Sequence, residues 1–455
     1  MTLVTLPTRV TETSSTCLDL IITQTPQMIQ RVDVFPPVCS DHSVPCAVLD
    51  TVVIPNRSFK RTIYNYDKMN IEGFCGSLSQ VDWSAVFVDK SLDENVNDFT
   101  QIFMSIAKEN MPVKTVTVRS EDKEWVTSDI LDLIDTRDKI HTKARLSDLP
   151  EDWLLYRQTR NLLIQKKRER ITEYYSKLDT KISDPSKFGT KQWWKLVKSF
   201  MNKKGMKTEE FPPIHSEGKI YYSNHDKANI FNDQFIQNSS IENPDDDPPD
   251  IQSSDCFMNN LVLSVNEVKG VIKNLKKTKA AGPDLIHNRL LIASVDVISE
   301  PLLKIFNRSL VEGKYPASWK IAHVTPVYKA GPAEMCNNYR PISLLSCVGK
   351  VLERCVYVHV YDFLKANHIF IPQQSGFLPD DSCVFQLISI YNEFCFCYDR
   401  GITTQAVFFD VSKAFDRVWH KGLLAKLESV GIRGRLLLWF CDYLTDRMQV
   451  VVIKG

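Results

Sequence analysis

The 455-residue sequence has no Cys-x-x-Cys pair. Among its 12 cysteines the nearest approach to one is Cys395-Phe396-Cys397. Zinc-finger spacing is therefore missing, and nothing resembles a disulfide framework. The N-terminal run Met1-Thr2-Leu3-Val4-Thr5-Leu6 carries neither the basic start nor the apolar core of a secretory leader. No stretch approaches the roughly 20 apolar residues that span a bilayer. These absences set the expectation of an intracellular chain with reduced thiols and no membrane. There is no internal repeat. Net charge is nearly absent too, with 56 Lys and Arg against 55 Asp and Glu.

What is present is ordinary globular composition, 43% hydrophobic and 24% charged. The length implies roughly two to four domains. The charge is unevenly spread. Between residues 137 and 207 the cations outnumber the acids roughly two to one, whereas Asp245-Asp246-Asp247 and Asp250 form a small acidic stretch. A local basic excess fits a polyanionic partner, and it equally fits a solvated helix face.

Along the chain, residues 1–50 hold short β-like runs, among them Leu18-Asp19-Leu20-Ile21-Ile22 and Cys46-Ala47-Val48-Leu49. A loop signal, Pro36-Pro37-Val38-Cys39-Ser40-Asp41-His42, lies between them. Residues 67–200 read as mostly helical, with a helix start at Thr127-Ser128-Asp129. Residues 151–178 carry an apolar stripe at Ile164, Ile171, Tyr174 and Leu178. The other faces present Arg157, Arg160, Lys166, Lys167, Arg168 and Arg170. A continuous helix there would be about 40 Å long. Trp193 and Trp194 then stand among lysines, an aromatic and basic mixture suited to backbone phosphates and bases. A long helix packed on one side and solvated on the other explains the cations equally well. Residues 208–262 read as a Pro- and Asp-rich linker. From residue 263 the texture is α/β, with helices expected around 265–276, 296–312 and 343–366. Strands are expected at 321–328, 405–410 and 448–453.

The stretch Val407-Phe408-Phe409-Asp410-Val411-Ser412-Lys413-Ala414-Phe415 raises a particular question. Its apolar run reads as a buried strand with an aspartate at its end, where a charge costs desolvation unless something cationic meets it. A helix cap is the simplest explanation. Four other signals precede it. The run Lys279-Ala280-Ala281-Gly282-Pro283-Asp284 combines a flexible glycine with a proline suited to a helix start. The strand-like run from Trp319 ends in the cation Lys329. Asn338-Tyr339-Arg340-Pro341-Ile342-Ser343 sets an arginine beside an aromatic, and Gln374-Ser375-Gly376-Phe377 follows a turn.

In that order and spacing, these motifs resemble the successive fingers and palm motifs of a reverse transcriptase. The resemblance is to the non-LTR, LINE-like and jockey-type retrotransposon enzymes, over about residues 263–455. It implies a fold of mixed α/β (α+β) class, with fingers and a partial palm. It also implies RNA-directed DNA polymerase activity with an RNA template, a DNA target or primer, dNTPs and two Mg2+ ions. An element-encoded RNA-binding protein and passage between cytoplasm and nucleus belong to the same expectation. Asp410 then matches a carboxylate that holds magnesium, and the Val411 carbonyl a further ligand. Hard cations about 3.5–4 Å apart stabilise attacking and leaving oxygens in phosphoryl transfer, and magnesium favours oxygen donors. Phe415 matches the bulky residue beneath the incoming sugar. Lys329 and Arg340 match cations that grip the triphosphate. Asp416 reads as structural.

Residues 1–50 carry a second resemblance, to the end of an apurinic/apyrimidinic-type endonuclease, a sandwich of the endonuclease/exonuclease/phosphatase kind. It rests on Ser40-Asp41-His42 with Leu18-Asp19-Leu20-Ile21-Ile22. It implies that Asp41 assists a metal and phosphate site, and that His42 acts on the scissile phosphate while Asp19 orients its ring. The expected organisation is an endonuclease remnant at 1–50, a connector at 51–125, a basic helical segment at 126–207, the linker, and the polymerase region.

There are departures. By the family pattern the chain begins after the endonuclease's Asn and Glu strands and ends before a Tyr/Phe-x-Asp-Asp hairpin, so the isolated chain is expected to be catalytically incomplete. Leu378-Pro379-Asp380 stands where the family carries Arg-Pro-Gly, which puts template contact there in doubt. Three functions therefore compete: a polymerase, a nucleic-acid-binding module without catalysis, and a repurposed interaction protein with a vestigial polymerase fold.

Overall fold

A computed structural model describes residues 3–10, 13–23, 26, 29–36, 42–49, 59–118, 125–182, 211–241, 244 and 246–453. Along the chain these form β1 (Arg9–Val10), β2 (Ser15–Thr16), β3 (Ile29–Phe35), β4 (Val44–Leu49) and β5 (Phe59–Tyr64). Next come α1 (Ile71–Ser79), α2 (Trp83–Val86), α3 (Leu92–Glu109), β6 (Val113–Val118), α4 (Ser128–Ser147) and α5 (Pro150–Ile182). The remainder holds β7 (Ile214–Ser216), β8 (Lys219–Tyr221), α6 (Asn224–Ser239), α7 (Val265–Lys273), α8 (Asn288–Ala293), α9 (Val295–Glu312), β9 (Ile321–Tyr328) and β10 (Tyr339–Leu344). It closes with α10 (Cys347–Ala366), α11 (Cys383–Asp399), α12 (His420–Ser429), α13 (Gly434–Leu444) and β11 (Met448–Val451). The mixture of helix and strand agrees with the expected α/β class.

Two compact units result, Met1–Phe59 with Thr117–Met206, and Lys60–Val116 with Lys207–Gly455. In the first, β3 and β4 form an antiparallel pair from Ile29↔Leu49 to Phe35↔Val44. The run 18–22 forms no strand: it contributes only an isolated bridge residue, Ile22, and Leu18, Leu20 and Ile22 are exposed. Helices α4 and α5 make an antiparallel hairpin, turned at Asp148 with φ +51°. Trp153 fixes that turn, donating from Nε1 to Asp148 Oδ1 at 3.0 Å. The inward stripe of α5 differs from the expected one: Leu163 is buried while Ile164 is 42% exposed. Trp153, Tyr156 and Leu163, spaced to continue one face, set the phase, and Ile164 lies one helical step round from it.

The second unit is built on one large apolar cluster. Helix α3 starts with a capping box, Ser91 and Glu94 exchanging hydrogen bonds, and buries Leu92, Val96, Phe99 and Phe103. Phe99 stacks on Phe103 at 5.5 Å, and Phe74 meets Phe103 edge-on at 5.4 Å. This cluster also contains Val268, Leu302, Phe306, Leu352 and Trp439. The segment read as a separate connector therefore shares its core with residues beyond 263. The segment read as a linker also differs from expectation. It holds the β7–β8 hairpin and α6, whose Phe231 and Phe235, one helical turn apart, bury against Ile214, Val324 and Tyr339. The prolines and acids of 243–250 dominated the composition and masked that stripe.

The central sheet has the order β10-β9-β11, with β9 antiparallel to β10 and parallel to β11. The strand at 321–328 stands as expected, and the one expected at 448–453 forms but ends at Val451. Residues 343–344 lie in β10 rather than in a helix, and α10 begins at Cys347, where the Ser346 hydroxyl accepts from Gly349 N–H. Gly282 is required for closeness: a Cβ there would sit 2.4 Å from the Leu345 carbonyl carbon. The following proline starts no helix, since α8 begins at Asn288, capped by the His287 ring.

Candidate functional site

The segment around Asp410 differs most from expectation. Residues 402–411 form no strand, Phe408 and Phe409 are 81% and 92% exposed, and Asp410 is exposed. A strand needs a ladder partner for its N–H and C=O groups. The described residues place none beside this one. Nor does Asp410 cap a helix, because turns follow it and α12 begins only at His420 with Trp419 at its cap. Among the described residues, no group of three or more His, Cys, Asp or Glu side chains is placed to hold a metal ion. Asp410 and the Val411 carbonyl are hard oxygen donors of the kind magnesium takes. As placed, they supply one carboxylate, short of the donor set a two-ion site needs.

Phe415 is 78% exposed, and its ring meets Phe377 edge-on at 5.6 Å. Phe377 is a non-glycine residue at φ +65°. Phe415 also borders a cleft of about 830 Å³, with Pro341 and Ser343 of β10, Lys320, Trp419 and Arg447. A volume of that order admits a small ligand. Trp419 is held by Nε1 donating to the Pro244 carbonyl at 3.0 Å. Lys320 is buried and pairs with Asp442 at 3.0 Å. Sequence reasoning singled out neither Lys320 nor Arg447. Lys320 opens the strand-like run at Trp319, and that adjacency was the one available signal.

Lys329 and Arg340 emerge from the β9–β10 hairpin. Arg340 pairs with Val327, and Lys329 N–H donates to the Asn338 carbonyl at 2.8 Å. Strand alternation puts Val327, Lys329 and Arg340 on one face, opposite the side that carries Val324 and Tyr339 into the core. The connecting loop is braced: Asn338 Nδ2 donates to the Pro332 carbonyl at 2.8 Å, and Tyr339 OH to the Ala333 carbonyl at 2.7 Å. Both cations are exposed, and neither forms an ion pair among the described residues. Two cations on one face of a braced hairpin can bind a phosphate without first breaking internal pairs.

In the first unit, the structure brings Asp19 and His42 together, with His42 Nδ1 2.7 Å from Asp19 Oδ2. Thr8 Oγ1 accepts from the backbone N–H groups of Leu18 and Asp19, both at 2.9 Å, and holds the loop. The hydrogen bond to His42, and then Thr8, hold the Asp19 carboxyl below its ordinary range. Asp41 lies outside the described residues.

On α5, the six cations separate into two sets. Arg170 pairs with Asp129 and Glu173, both at 3.1 Å, and Lys166 pairs with Glu169 at 3.2 Å. Arg157 and Arg160 instead meet neutral oxygens, on the Trp153 carbonyl and Asn161. Lys167 and Arg168 meet no carboxylate among the described residues. Trp193 and Trp194 lie outside the described residues.

Comparison with known proteins bears on residues 327–454, which match the family model "Reverse transcriptase (RNA-dependent DNA polymerase)". A Drosophila melanogaster protein described as the probable RNA-directed DNA polymerase from transposon BS is 32% identical over 194 residues, 42% of this chain and 21% of that one. The RNA-directed DNA polymerase from mobile element jockey of the same species is 31% identical over 195 residues, again 42% and 21%. The probable polymerase from transposon X-element is 33% identical over 163 residues, 36% and 18%. The chain thus spans about a fifth of the length of the curated relatives it matches.

Proposed function

Because residues 327–454 belong to the reverse transcriptase family, in its non-LTR, jockey-type branch, we propose that the chain serves an RNA-directed DNA polymerase of such an element. Its reaction joins a dNTP to a primer 3′ hydroxyl on an RNA template, inside the cell. The observation that carries this reading is that Lys329 and Arg340 stand together, exposed, on one face of a hairpin within the matched region.

In this reading β9, β10 and the helices before them act as fingers, and residues from 402 onward enter the palm. Lys329 and Arg340 take the triphosphate, whose charge a planar guanidinium and an ammonium offset in different ways. Phe415 lies beneath the sugar. Asp410 and the Val411 carbonyl would contribute to binding Mg2+, which supplies charge stabilisation to the attacking and leaving oxygens. Among the described residues no group of three or more His, Cys, Asp or Glu side chains is placed to hold a metal, so no step is assigned to the ion here. Asp19 would orient the His42 ring in an endonuclease site, and the uncompensated cations of α5 would contact nucleic-acid backbone. An element-encoded RNA-binding protein fits the same reading as a partner.

The exposure of Asp410, outside any strand, favours a second reading, nucleic-acid binding without catalysis. Primer extension separates the two. The chain is joined at its C-terminus to the polymerase segment that follows in the jockey relative, and tested with Mg2+, primed RNA and dNTPs. Extension that Asp410→Asn reduces by at least about tenfold supports the polymerase, since losing a transition-state electrostatic interaction costs that much or more. Extension indifferent to Asp410→Asn removes the assignment, and none at all favours the binding reading.

A further inference from the structure

Phe415 stands in a short turn between Asp410 and α12, and that turn is tied down on both sides of the ring. On one side, the Lys413 ammonium donates to Asn238 Oδ1. Asn238 is buried at the end of α6, where Gln234 Nε2 donates to the same oxygen at 3.1 Å. Lys413 has φ +56°, a conformation that a non-glycine residue adopts at a cost, so the backbone there needs an external hold. Within the turn, the Asp416 and Arg417 N–H groups both donate to the Lys413 carbonyl, at 2.9 and 3.1 Å.

On the other side is Trp419. Its Nε1 donates to the carbonyl of Pro244, in the segment that follows α6. Its ring lies against Gly422 in the first turn of α12. A Cβ at that glycine would stand 2.7 and 2.8 Å from ring atoms Cζ3 and Cδ2, and closer still to Cε3. Packing a helix start would call for alanine at 422, the better helix former. Glycine there instead makes room for one ring placement, the one whose Nε1 reaches Pro244. Next to it, Lys421 pairs with Asp247 of the same segment at 2.8 Å. The Phe415 ring itself is 78% exposed, so surrounding packing does not fix it. Its place is set by the backbone of the turn, and hence by the two anchors.

We propose that Trp419 is a positioning residue for Phe415: clamped between Gly422 and the Pro244 carbonyl, it holds the turn so that the ring meets the sugar of the incoming nucleotide. Trp419 acts through Phe415 and touches no reacting atom. The segment after α6 thereby takes part in nucleotide selection. That consequence rests on the polymerase reading of Phe415, whereas the clamp itself does not.

The test has two readouts. In the full chain, Phe415 is replaced by 4-fluorophenylalanine and followed by 19F NMR; the nearby Phe377 ring makes the resonance sensitive to movement of the turn. Gly422→Ala, whose methyl displaces the indole, and Trp419→Phe, which lacks the donor, should each shift or split that resonance. In the jockey-joined chain, both variants should raise ribonucleotide relative to deoxynucleotide incorporation about threefold or more, because a small misplacement of a positioned group is strongly felt. They should raise KM for dATP more than they lower kcat. Trp419→Ala with Gly422→Ala should be no worse than Trp419→Ala alone, since without the indole the added methyl displaces nothing. An unmoved resonance in both variants would overturn the proposal whether or not the jockey-joined chain extends primers. A moved resonance with an unchanged incorporation ratio would overturn the role in selection. Absence of extension counts against the polymerase reading alone, and the resonance then decides the clamp.

Discussion

Phe377 and Phe415 meet edge to face at 5.6 Å, although 38 positions separate 377 from 415 and both rings are largely exposed. The contact ties the loop after α10 to the turn that follows Asp410. Phe415 nevertheless stays 78% exposed, and it borders the cleft beside Pro341 and Ser343. A ring so placed is free to meet a ligand, which a core phenylalanine is not.

Phe415 provides the first prediction. If its ring lies under the incoming sugar, a ribose 2′-OH clashes with it and a deoxyribose does not. Phe415→Ala in the jockey-joined chain should raise ribonucleotide incorporation relative to deoxynucleotide by about tenfold, a discrimination worth about 1.4 kcal/mol. Single-nucleotide extension with matched ATP and dATP measures it. An unchanged ratio, with a lowered melting temperature, would show that the ring serves the contact with Phe377 instead.

A pH-dependent term follows from Asp284. Burial pushes its carboxyl above the ordinary range, against an opposing hydrogen bond from Ile286 N–H to Oδ1 at 3.2 Å. The folded state therefore keeps a proton that the unfolded chain gives up. This group's contribution is most favourable below the unfolded pKa, and declines as pH rises from there through the raised folded value. Asp284→Asn keeps the acceptor oxygen and removes the charge. It should raise the melting temperature at pH 7 and flatten the decline that sets in as pH rises above the ordinary carboxylate range, about pH 4. A variant that melts lower than the unaltered chain at pH 7 would mean that Asp284 is charged and matched in the fold.

On α5, the ion pairs decide which cations matter. Lys166 and Arg170 must give up Glu169, Asp129 and Glu173 before they meet phosphate, whereas Arg157, Arg160, Lys167 and Arg168 need not. Changing the last four to Gln should weaken duplex DNA binding and lower its salt slope by about 0.9 for each phosphate no longer neutralised. Changing Lys166 and Arg170 should do much less. Anisotropy over a salt series distinguishes them, and equal weakening from both sets would return the helix to the solvated-face reading.

The two sets could not be separated in the sequence, because compensation depends on Asp129, which reaches Arg170 from another helix. Much else was legible. The helix expected around 265–276 and the strand expected at 321–328 rest on local signals, and the structure follows them with α7 and β9. The Asp19–His42 contact was also foreseen, but only through a resemblance, since 23 positions separate the two. What failed needed partners far away in sequence. The run 407–409 has strand composition, yet a strand exists only as part of a ladder. Gly282 looked like a flexible joint, whereas its requirement comes from the backbone of Leu345. The clamp on Trp419 left no trace in the sequence, because 175 positions separate it from Pro244.

Exposed apolar surface gives the last prediction. Helix α11 buries none of its residues, and Val384, Phe385, Leu387 and Ile388 are each more than half exposed. Phe408 and Phe409 add a second apolar stretch. Contiguous patches of this kind drive association, and each side chain left in water forgoes about 1.5–3 kcal/mol that burial would supply. The purified chain should therefore bind a hydrophobic dye strongly and sediment as larger species as concentration rises. Because Leu387 and Ile388 lie in solvent, Leu387→Gln with Ile388→Gln removes apolar area while retaining a residue that helices tolerate. That double variant should bind less dye and stay monomeric to higher concentration, with its melting temperature unchanged. A fall in melting temperature of several degrees would show instead that these two side chains are packed within the fold, and that the surface of α11 is closed.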